Sequence, residues 1–130
     1  MKNAIWVNNN RKRWRANKRR LSRLAHEKLK GIVRNRLTRI LRKNNLKKEN
    51  TTVGYLGTSI AEFKTYIEGK FQPGMTWENR GFYGWHIDHV RPVSSFNLHD
   101  PDQLKACTHY TNLQPLWMHD NLSKGNRLEA

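Results

Sequence analysis

The sequence predicts an α+β protein, in which a basic helical arm precedes a small domain of helices and two short strands. Across residues 21–41 the apolar positions recur every three or four residues, which is the spacing of one face of an α-helix. Two later segments, 85–92 and 112–117, are short and contain proline, as strands at a sheet edge do. A polar linker over residues 43–52 separates the two parts.

Positive charge is concentrated in the arm, residues 1–50. This segment holds 18 of the 25 Lys and Arg residues and two of the ten acids, whereas residues 51–130 hold seven bases and eight acids. Such a block of charge is typical of a protein that binds a polyanion, because each neutralised phosphate releases condensed counterions. An anionic membrane surface is the competing partner for a basic amphipathic helix. The arginines that we expect to contact phosphate are Arg19, Arg20, Arg23, Arg34, Arg36 and Arg39.

Within the arm, the helix is predicted from the leucine-rich middle alone. The pattern fits one continuous helix or two helices separated near Gly31. Residues 8–15, which are Asn- and Arg-rich, are predicted to be irregular.

A second helix is predicted to begin at Ser59. Ser59 and Glu62 have the spacing of a capping box, in which the hydroxyl and the carboxylate each accept a free backbone N–H. Ile60, Phe63 and Ile67 then fall on one face. The following segment, 75–85, is rich in aromatics and glycine, and we expect it to be a loop that covers the core.

The two predicted strands flank a loop and lead into a final helix. The intervening segment, with Asp100-Pro101, is polar and is predicted to be a loop. Residues 118–124 are predicted to form a short helix that ends at Gly125. No internal repeat is visible.

Composition excludes several classes of protein. A mean hydropathy of −0.93, with no apolar stretch near the roughly 18 residues that span a bilayer, argues against a membrane protein. The N-terminus lacks an apolar signal-peptide core. The single cysteine, Cys107, excludes an internal disulfide and a four-cysteine zinc site, and we expect it to be a small buried residue. We therefore expect a cytoplasmic protein.

The last third of the sequence holds the residue types that phosphodiester hydrolysis requires. Asp88 can offer a carboxylate oxygen to a magnesium ion, and Asn121 a carbonyl oxygen. His89 is a candidate general base, because imidazole titrates near neutral pH. Lys124 lies three residues after Asn121 on a similar helical face, where it could pair with phosphate. On a regular strand Asp88 and His89 point to opposite faces, so both reach one phosphate only if the strand ends or bulges at Arg91.

The ordered combination resembles a known family. The run His86-Ile87-Asp88-His89-Val90-Arg91-Pro92, then Asn112-Leu113-Gln114-Pro115-Leu116-Trp117, then Asp120-Asn121 with Lys124, is similar to the HNH endonuclease motif of the ββα-metal class. The preceding segments, 59–71 and 74–79, resemble the sequence ahead of the motif in phage-encoded members. The resemblance implies a ββα-metal core over about residues 85–125, and a host cytoplasmic location if the protein is encoded by a phage.

The resemblance also implies roles for individual residues. Asp88 and Asn121 would be metal ligands, His89 the general base, and Asn112 the residue that fixes the loop between the strands. Arg91 and His86 would assist at the active site, and Lys124 would contact phosphate. The implied reaction is metal-dependent cleavage of double-stranded DNA, by nicking or by a double-strand break, to leave 5′-phosphate and 3′-hydroxyl ends.

Two departures from the family pattern matter. The family's last letter is often histidine, whereas Asn121 makes this an HNN form, so we expect one Mg²⁺ or Mn²⁺ ion rather than a softer metal. His119 is a rival ligand. Many members carry a structural zinc held by two Cys-x-x-Cys pairs, and because Cys107 is the only cysteine we expect none here.

An alternative function is open at this stage. A non-catalytic nucleic-acid-binding protein on an HNH-like scaffold would show the same basic arm and the same salt-dependent affinity. We expect no membrane association, and either a monomer or a homodimer.

Overall fold

The protein has an α+β fold. The computed structural model describes the backbone of residues 2–124 and the side chains of residues 7–121 and 124. Residues 125–130, with the expected helix end at Gly125 and the end of the predicted core, lie outside the described part. The helices are α1 (Lys2–Lys43), α2 (Thr52–Leu56), α3 (Ile60–Glu68), α4 (Pro101–Thr108) and α5 (Met118–Lys124), and the strands are β1 (Trp85–His89) and β2 (Leu113–Trp117).

The arm is one helix, α1, and the expectation of an irregular segment at residues 8–15 was wrong. The Arg and Lys residues of this segment lose little side-chain entropy in a helix, and the segment has no proline or glycine. Gly31 does not interrupt the helix. A single glycine costs only about 1 kcal/mol, which the burial of neighbouring leucines on both sides of it offsets.

One face of the later part of α1 lies in the core of the domain. Leu29 and Val33 are buried in a cluster with Phe63 of α3 and Trp85 of β1. A smaller cluster joins Leu37 and Leu41 of α1 to Tyr55 of α2. The division near residue 50 therefore separates two segments of sequence that share one core. The remaining buried members of the larger cluster are Leu56, Ile60, Ile67, Met75, Ile87 and Leu113.

The predicted helix at Ser59 is confirmed as α3. The Ser59 side chain accepts a hydrogen bond from the Glu62 backbone N–H at 3.1 Å, and Ile60, Phe63 and Ile67 are buried. The second half of the expected capping box differs, since the Glu62 carboxylate accepts from the Thr58 hydroxyl. Thr58 immediately precedes the N-cap Ser59, and its hydroxyl is a donor that is not part of the capping-box pattern.

Met75, Trp77 and Trp85 of the aromatic segment after α3 cover the core as expected, whereas Phe82 and Tyr83 of the same segment are exposed. Met75 is buried, and Trp85 is fully buried with its indole N–H donating to the Thr76 carbonyl at 2.6 Å. Phe71, Trp77 and Trp85 form a mutually packed set, with ring centroids 5.0 to 5.4 Å apart. Edge-to-face packing of this kind stabilises small cores that contain few aliphatic residues.

The segment between the strands contains a helix, α4, that the sequence reading treated as a loop. Asp100 caps it by accepting from the Asp102 N–H at 3.0 Å, and Pro101 occupies the first turn. Both residues favour the start of a helix, because proline lacks the N–H that would be unsatisfied there. Asp100-Pro101 therefore indicates the start of a helix, although the polar composition of the segment led to the prediction of a loop.

Candidate active site

The two strands and α5 form the frame of the candidate site. β1 and β2 pair antiparallel, with His89 opposite Leu113 and Asp88 opposite Gln114. Trp85, Ile87 and His89 of β1 are buried, while His86 and Asp88 on the other face are half-buried. Helix α5 follows β2 directly and contacts both strands. Helix α5 therefore lies on one side of the end of β1. On the other side, Arg36 of α1 contacts His89.

Asp88 is paired with a lysine of α5. The Lys124 ammonium donates to Asp88 Oδ2 at 3.0 Å and to the His89 carbonyl at 2.6 Å. Both side chains are shielded, at 6% exposure for Lys124 and 15% for Asp88. Lys124, which we expected at a DNA phosphate, thus lies in a buried ion pair that ties α5 to the end of β1.

His89 is buried, with 7% of its surface exposed. Its Nδ1 lies 3.2 Å from a terminal nitrogen of Arg36, which comes from α1. Burial and the nearby Arg36 charge lower the pKa of His89 to about 4, and Asp88 only partly opposes this shift. The imidazole is therefore neutral at physiological pH, as a general base must be, although a pKa this low makes it a weak base.

The Arg36 contact also constrains the position of the imidazole proton. A guanidinium can only donate, so Nδ1 must accept and the proton of the neutral ring lies on Nε2. Burial lowers the pKa of Arg36 as well, and its Nε is buried with no hydrogen-bond partner among the described residues. Arg36 thus has donor capacity that the described side chains do not satisfy.

Asn112 fixes the chain immediately after β1. Its carboxamide oxygen accepts from the Arg91 N–H at 2.9 Å, and its NH₂ donates to the carbonyls of Arg91 at 3.2 Å and Cys107 at 3.0 Å. Its own carbonyl accepts from the Val90 N–H at 2.8 Å. The side chain is buried at 8% exposure, so substitution would leave several backbone groups unsatisfied.

The regular strand ends at His89, before Arg91-Pro92. At this point a groove of about 500 Å³ opens, lined by both Asp88 and His89. Alternation along β1 thus separates the two side chains, but the end of the strand brings both to one opening. The other side of the groove is formed by Lys43 and Asn44 at the end of α1 and by the segment from Pro92 to Leu98.

The two predicted metal ligands are oxygen donors, a type that suits magnesium or manganese better than a softer metal. Among the described residues there is no group of three or more His, Cys, Asp or Glu side chains that could hold a metal. Mg²⁺ needs only one or two protein oxygens, because water and substrate phosphate complete its shell. Asp88 and Asn121 are oxygen donors of this kind. Asp88 lines the groove, whereas Asn121 is half-buried on α5 and is not among the residues that line it. His119, the alternative ligand, is exposed.

The other predicted site residues are less closely gathered. Arg91 is exposed, and its guanidinium stacks 4.5 Å above the Phe96 ring. His86 is half-buried, and its Nε2 lies 3.2 Å from the Phe82 carbonyl. Five of the six expected arginines, Arg19, Arg20, Arg23, Arg34 and Arg39, are exposed on α1.

The sixth arginine, Arg36, has a place that the sequence did not predict. It was grouped with the phosphate contacts of the arm, yet it bonds the candidate base. Arg36 lies between the buried residues Val33 and Leu37, beside the stripe that faces the core. Arg34 flanks the same stripe, so helical spacing alone does not single out Arg36.

Comparison with known proteins gives similarity without a function. The chain is 38% identical over 101 residues to an uncharacterized protein of Acanthamoeba polyphaga mimivirus, and 35% identical over 97 residues to a second one from the same virus. These matches cover 78% and 75% of this chain but 43% and 41% of the two viral proteins. The chain therefore spans about two fifths of the length of these relatives.

No protein family and no solved structure matches the chain. Within the described residues, none of the helices combines the length and the apolar character that a membrane crossing requires.

Proposed function

We propose that this protein is a metal-dependent DNA endonuclease of the HNH type. The observation that carries the proposal is the convergence of Asp88 and His89 at one groove, where α5 packs against the end of a two-stranded antiparallel sheet. Asn112 pins the loop that follows, in keeping with the motif its position matches. The order strand, connection, strand, helix is the order that the ββα-metal class requires.

His89 would take the proton of the attacking water. Its Nδ1 lone pair is engaged by Arg36 in the free protein, so the base is released only when the guanidinium moves. Arg36 is not among the residues that line the groove, but a DNA phosphate bound along α1 would offer it a stronger, charge-assisted acceptor than a neutral imidazole. When the Arg36 guanidinium moves away from the imidazole, the pKa of His89 would rise, because the nearby positive charge that lowers it is gone. Substrate binding would therefore prepare the base.

Asp88 and Asn121 would hold the divalent ion, which when bound supplies positive charge against the phosphate and the leaving oxygen. The Lys124 ammonium already stabilises the Asp88 carboxylate in its charged form. Its second bond, to the His89 carbonyl, fixes the backbone on which both side chains stand. Lys124 is thus proposed to position the site rather than to contact phosphate.

The exposed arginines of α1 would bind the DNA backbone. Phosphate contacts of this type give affinity and register without sequence information. One such site cuts one strand, so a monomer would nick a duplex.

A second candidate is a nucleic-acid-binding protein without catalysis. The specific observation in its favour is that the candidate metal ligand and the candidate base both have protein partners, Lys124 for Asp88 and Arg36 for His89. A scaffold that had lost its metal could be stabilised in this way. Both candidates predict DNA binding, and only the first predicts cleavage.

The decisive experiment is a plasmid-nicking assay with the full chain. Supercoiled DNA is incubated with Mg²⁺ or Mn²⁺, and in parallel with EDTA. We expect conversion to open circles with the metals alone, and at least a hundredfold loss in His89→Ala and in Asp88→Asn. His99→Ala is the matched control, since His99 is an exposed histidine outside the groove.

The outcomes separate the two candidates. If the wild-type protein binds DNA but does not nick the plasmid with either Mg²⁺ or Mn²⁺, the non-catalytic alternative is favoured. Nicking by His89→Ala at the wild-type rate would show that the base has been assigned to the wrong residue.

A further inference from the structure

The turn before β1 displays two large aromatic side chains to solvent. Phe82 is 73% exposed and Tyr83 is 85% exposed, and their rings meet edge to face with centroids 4.9 Å apart. Exposed aromatic patches on small proteins usually mark a binding site, because each ring forgoes a large burial of apolar surface. In this structure neither ring covers the core.

Backbone hydrogen bonds hold this turn in place. The Gly81 N–H donates to the Trp85 carbonyl at 3.2 Å, and the Gly84 N–H donates to the Gly81 carbonyl at 3.1 Å. The Gly84 carbonyl in turn accepts from Met118 of α5 at 2.8 Å. A Cβ at Gly84 would lie 1.6 Å from the Asn79 carbonyl oxygen, so the close approach requires glycine. The two rings therefore project from a fixed support.

A basic cleft of about 430 Å³ lies beside the rings, between α1 and the turn. Arg36 and Arg39 line it from α1, and Arg80 and Phe82 line it from the turn. Its volume is within the range of about 300 to 1,000 Å³ that is usual for pockets that bind small groups. Arginine next to exposed aromatic rings is the combination that binds the phosphates and the base faces of a single strand.

We propose that this cleft, with Phe82 and Tyr83, binds unpaired nucleotides of DNA. The bases would stack on the two rings, and Arg39 and Arg80 would pair with the adjoining phosphates. This inference rests on the proposed function and deepens it by naming the substrate class, which is DNA that carries a single-stranded segment next to the phosphate to be cut. Arg36 lines the cleft and also bonds His89, so it connects this segment to the candidate base.

An unbroken duplex cannot use these rings. Its base faces are stacked on one another, and its backbone offers phosphates and sugars alone. A duplex would therefore gain from the arginines and leave Phe82 and Tyr83 unused, whereas a single strand would gain from both. The structure thus predicts a preference that net charge alone does not, because the duplex has the higher charge density.

The test is a binding experiment in EDTA, where no cleavage can occur. The full chain is titrated into a fluorescent 20-nucleotide single strand, its duplex, and the same strand with 2-aminopurine as a stacking probe. We expect tighter binding of the single strand and quenching of 2-aminopurine. Tyr83→Leu and Phe82→Leu should each lose about tenfold in affinity for the single strand, with duplex affinity unchanged.

Matched variants separate stacking from general apolar contact. Tyr83→Phe keeps the ring and should bind as the wild type does. Val53→Ala removes an exposed apolar group of α2, away from the cleft, and should change nothing. Equal losses on single strand and duplex in the leucine variants, or no loss on either, would overturn the proposal.

Vesicles of phosphatidylcholine and phosphatidylglycerol supply the last comparison. Binding to them that is lost in Phe82→Leu and is not displaced by the single strand would assign the rings to a membrane surface instead. Because all of these measurements omit the metal, they can fail while plasmid nicking succeeds, and they can succeed while nicking fails.

Discussion

The two halves of α1 are both rich in Lys and Arg but have different surroundings. Residues 7–24 hold eight Lys and Arg residues, and nearly every side chain there is exposed, including Trp14, Leu21 and Leu24. Residues 29–41 are also basic, yet every third or fourth side chain is buried against α2, α3 and β1. Basic composition therefore does not decide whether a stretch of this helix is an arm or a part of the core. What decides it is whether neighbouring elements supply apolar side chains to cover the leucines.

The largest effect is expected from a leucine in the buried half. Leu37 is 4% exposed and packs with Leu41 and Tyr55. Leu37→Ala should lower the free energy of unfolding by about 2 to 5 kcal/mol, since it removes buried methyl groups and leaves a cavity. Urea denaturation followed by circular dichroism measures it. A loss below about 1 kcal/mol would mean that this half of α1 does not belong to the core.

The buried half also makes stability depend on pH, because His89 is buried in the fold and Arg36 of α1 lies beside it. The folded pKa of His89 is about 4, below the unfolded value near 6.5. The unfolded chain therefore binds a proton first as pH falls, and stability decreases between about pH 6.5 and pH 4. The decrease should reach the order of 2 to 3 kcal/mol.

Thermal melts across this pH range test the prediction. His89→Asn should flatten the dependence, and the exposed His99→Asn should leave it as in the wild type. A wild-type melting temperature that stays constant from pH 7 to pH 4.5 would contradict the buried, neutral imidazole.

The exposed half should contribute to binding rather than to stability. Replacement of Arg19, Arg20 and Arg23 by Gln should make DNA binding less dependent on salt. The slope of log DNA affinity against log salt concentration should fall by about one for each arginine that contacts a phosphate. Melting temperature should not change. Lys105→Gln on α4 is the control, because it removes an exposed charge from another face. An unchanged slope would place the DNA elsewhere.

The smallest effect is expected from a leucine in the exposed half. Leu21 is 53% exposed, and alanine is the better helix former. Leu21→Ala should therefore change the free energy of unfolding by less than about 0.5 kcal/mol. Its comparison with Leu37→Ala holds the residue type and the helix constant. A large loss at Leu21 would show that another surface covers this half in solution.

Local chemistry in the sequence predicted much of the fold. The cap at Ser59, the two strands and α5 follow from short-range patterns, and the structure contains them. Residues 8–15 were misjudged because polar side chains are compatible with both loop and helix, and the choice depends on summed helix propensity. Helix α4 was missed because its polar composition outweighed the cap at Asp100-Pro101.

The candidate site was predictable as a set of residues and not as an arrangement. Asp88, His89 and Asn112 are recognisable by their order along the chain. The partners of the first two, Lys124 and Arg36, are 36 and 53 residues away from Asp88 and His89. Such contacts depend on how helices pack on the sheet, which periodicity does not specify. For the same reason the sequence did not show that Arg36 touches the candidate base, His89, while Arg34 and Arg39 are exposed.

Helix α1 packs on the domain only through residues near its C-terminal end, and its N-terminal part extends away from those contacts among the described residues. From Val7 to Arg36 there are 29 residues, which at about 1.5 Å per residue is roughly 44 Å. That length corresponds to about 13 base pairs of B-DNA, at about 3.4 Å per pair. A nucleic acid that lay along the helix would thus be covered on one side of the candidate site and not on the other. The region of nucleic acid that the protein protects would therefore be asymmetric about the candidate site. The direction of the asymmetry would give the polarity of the bound strand.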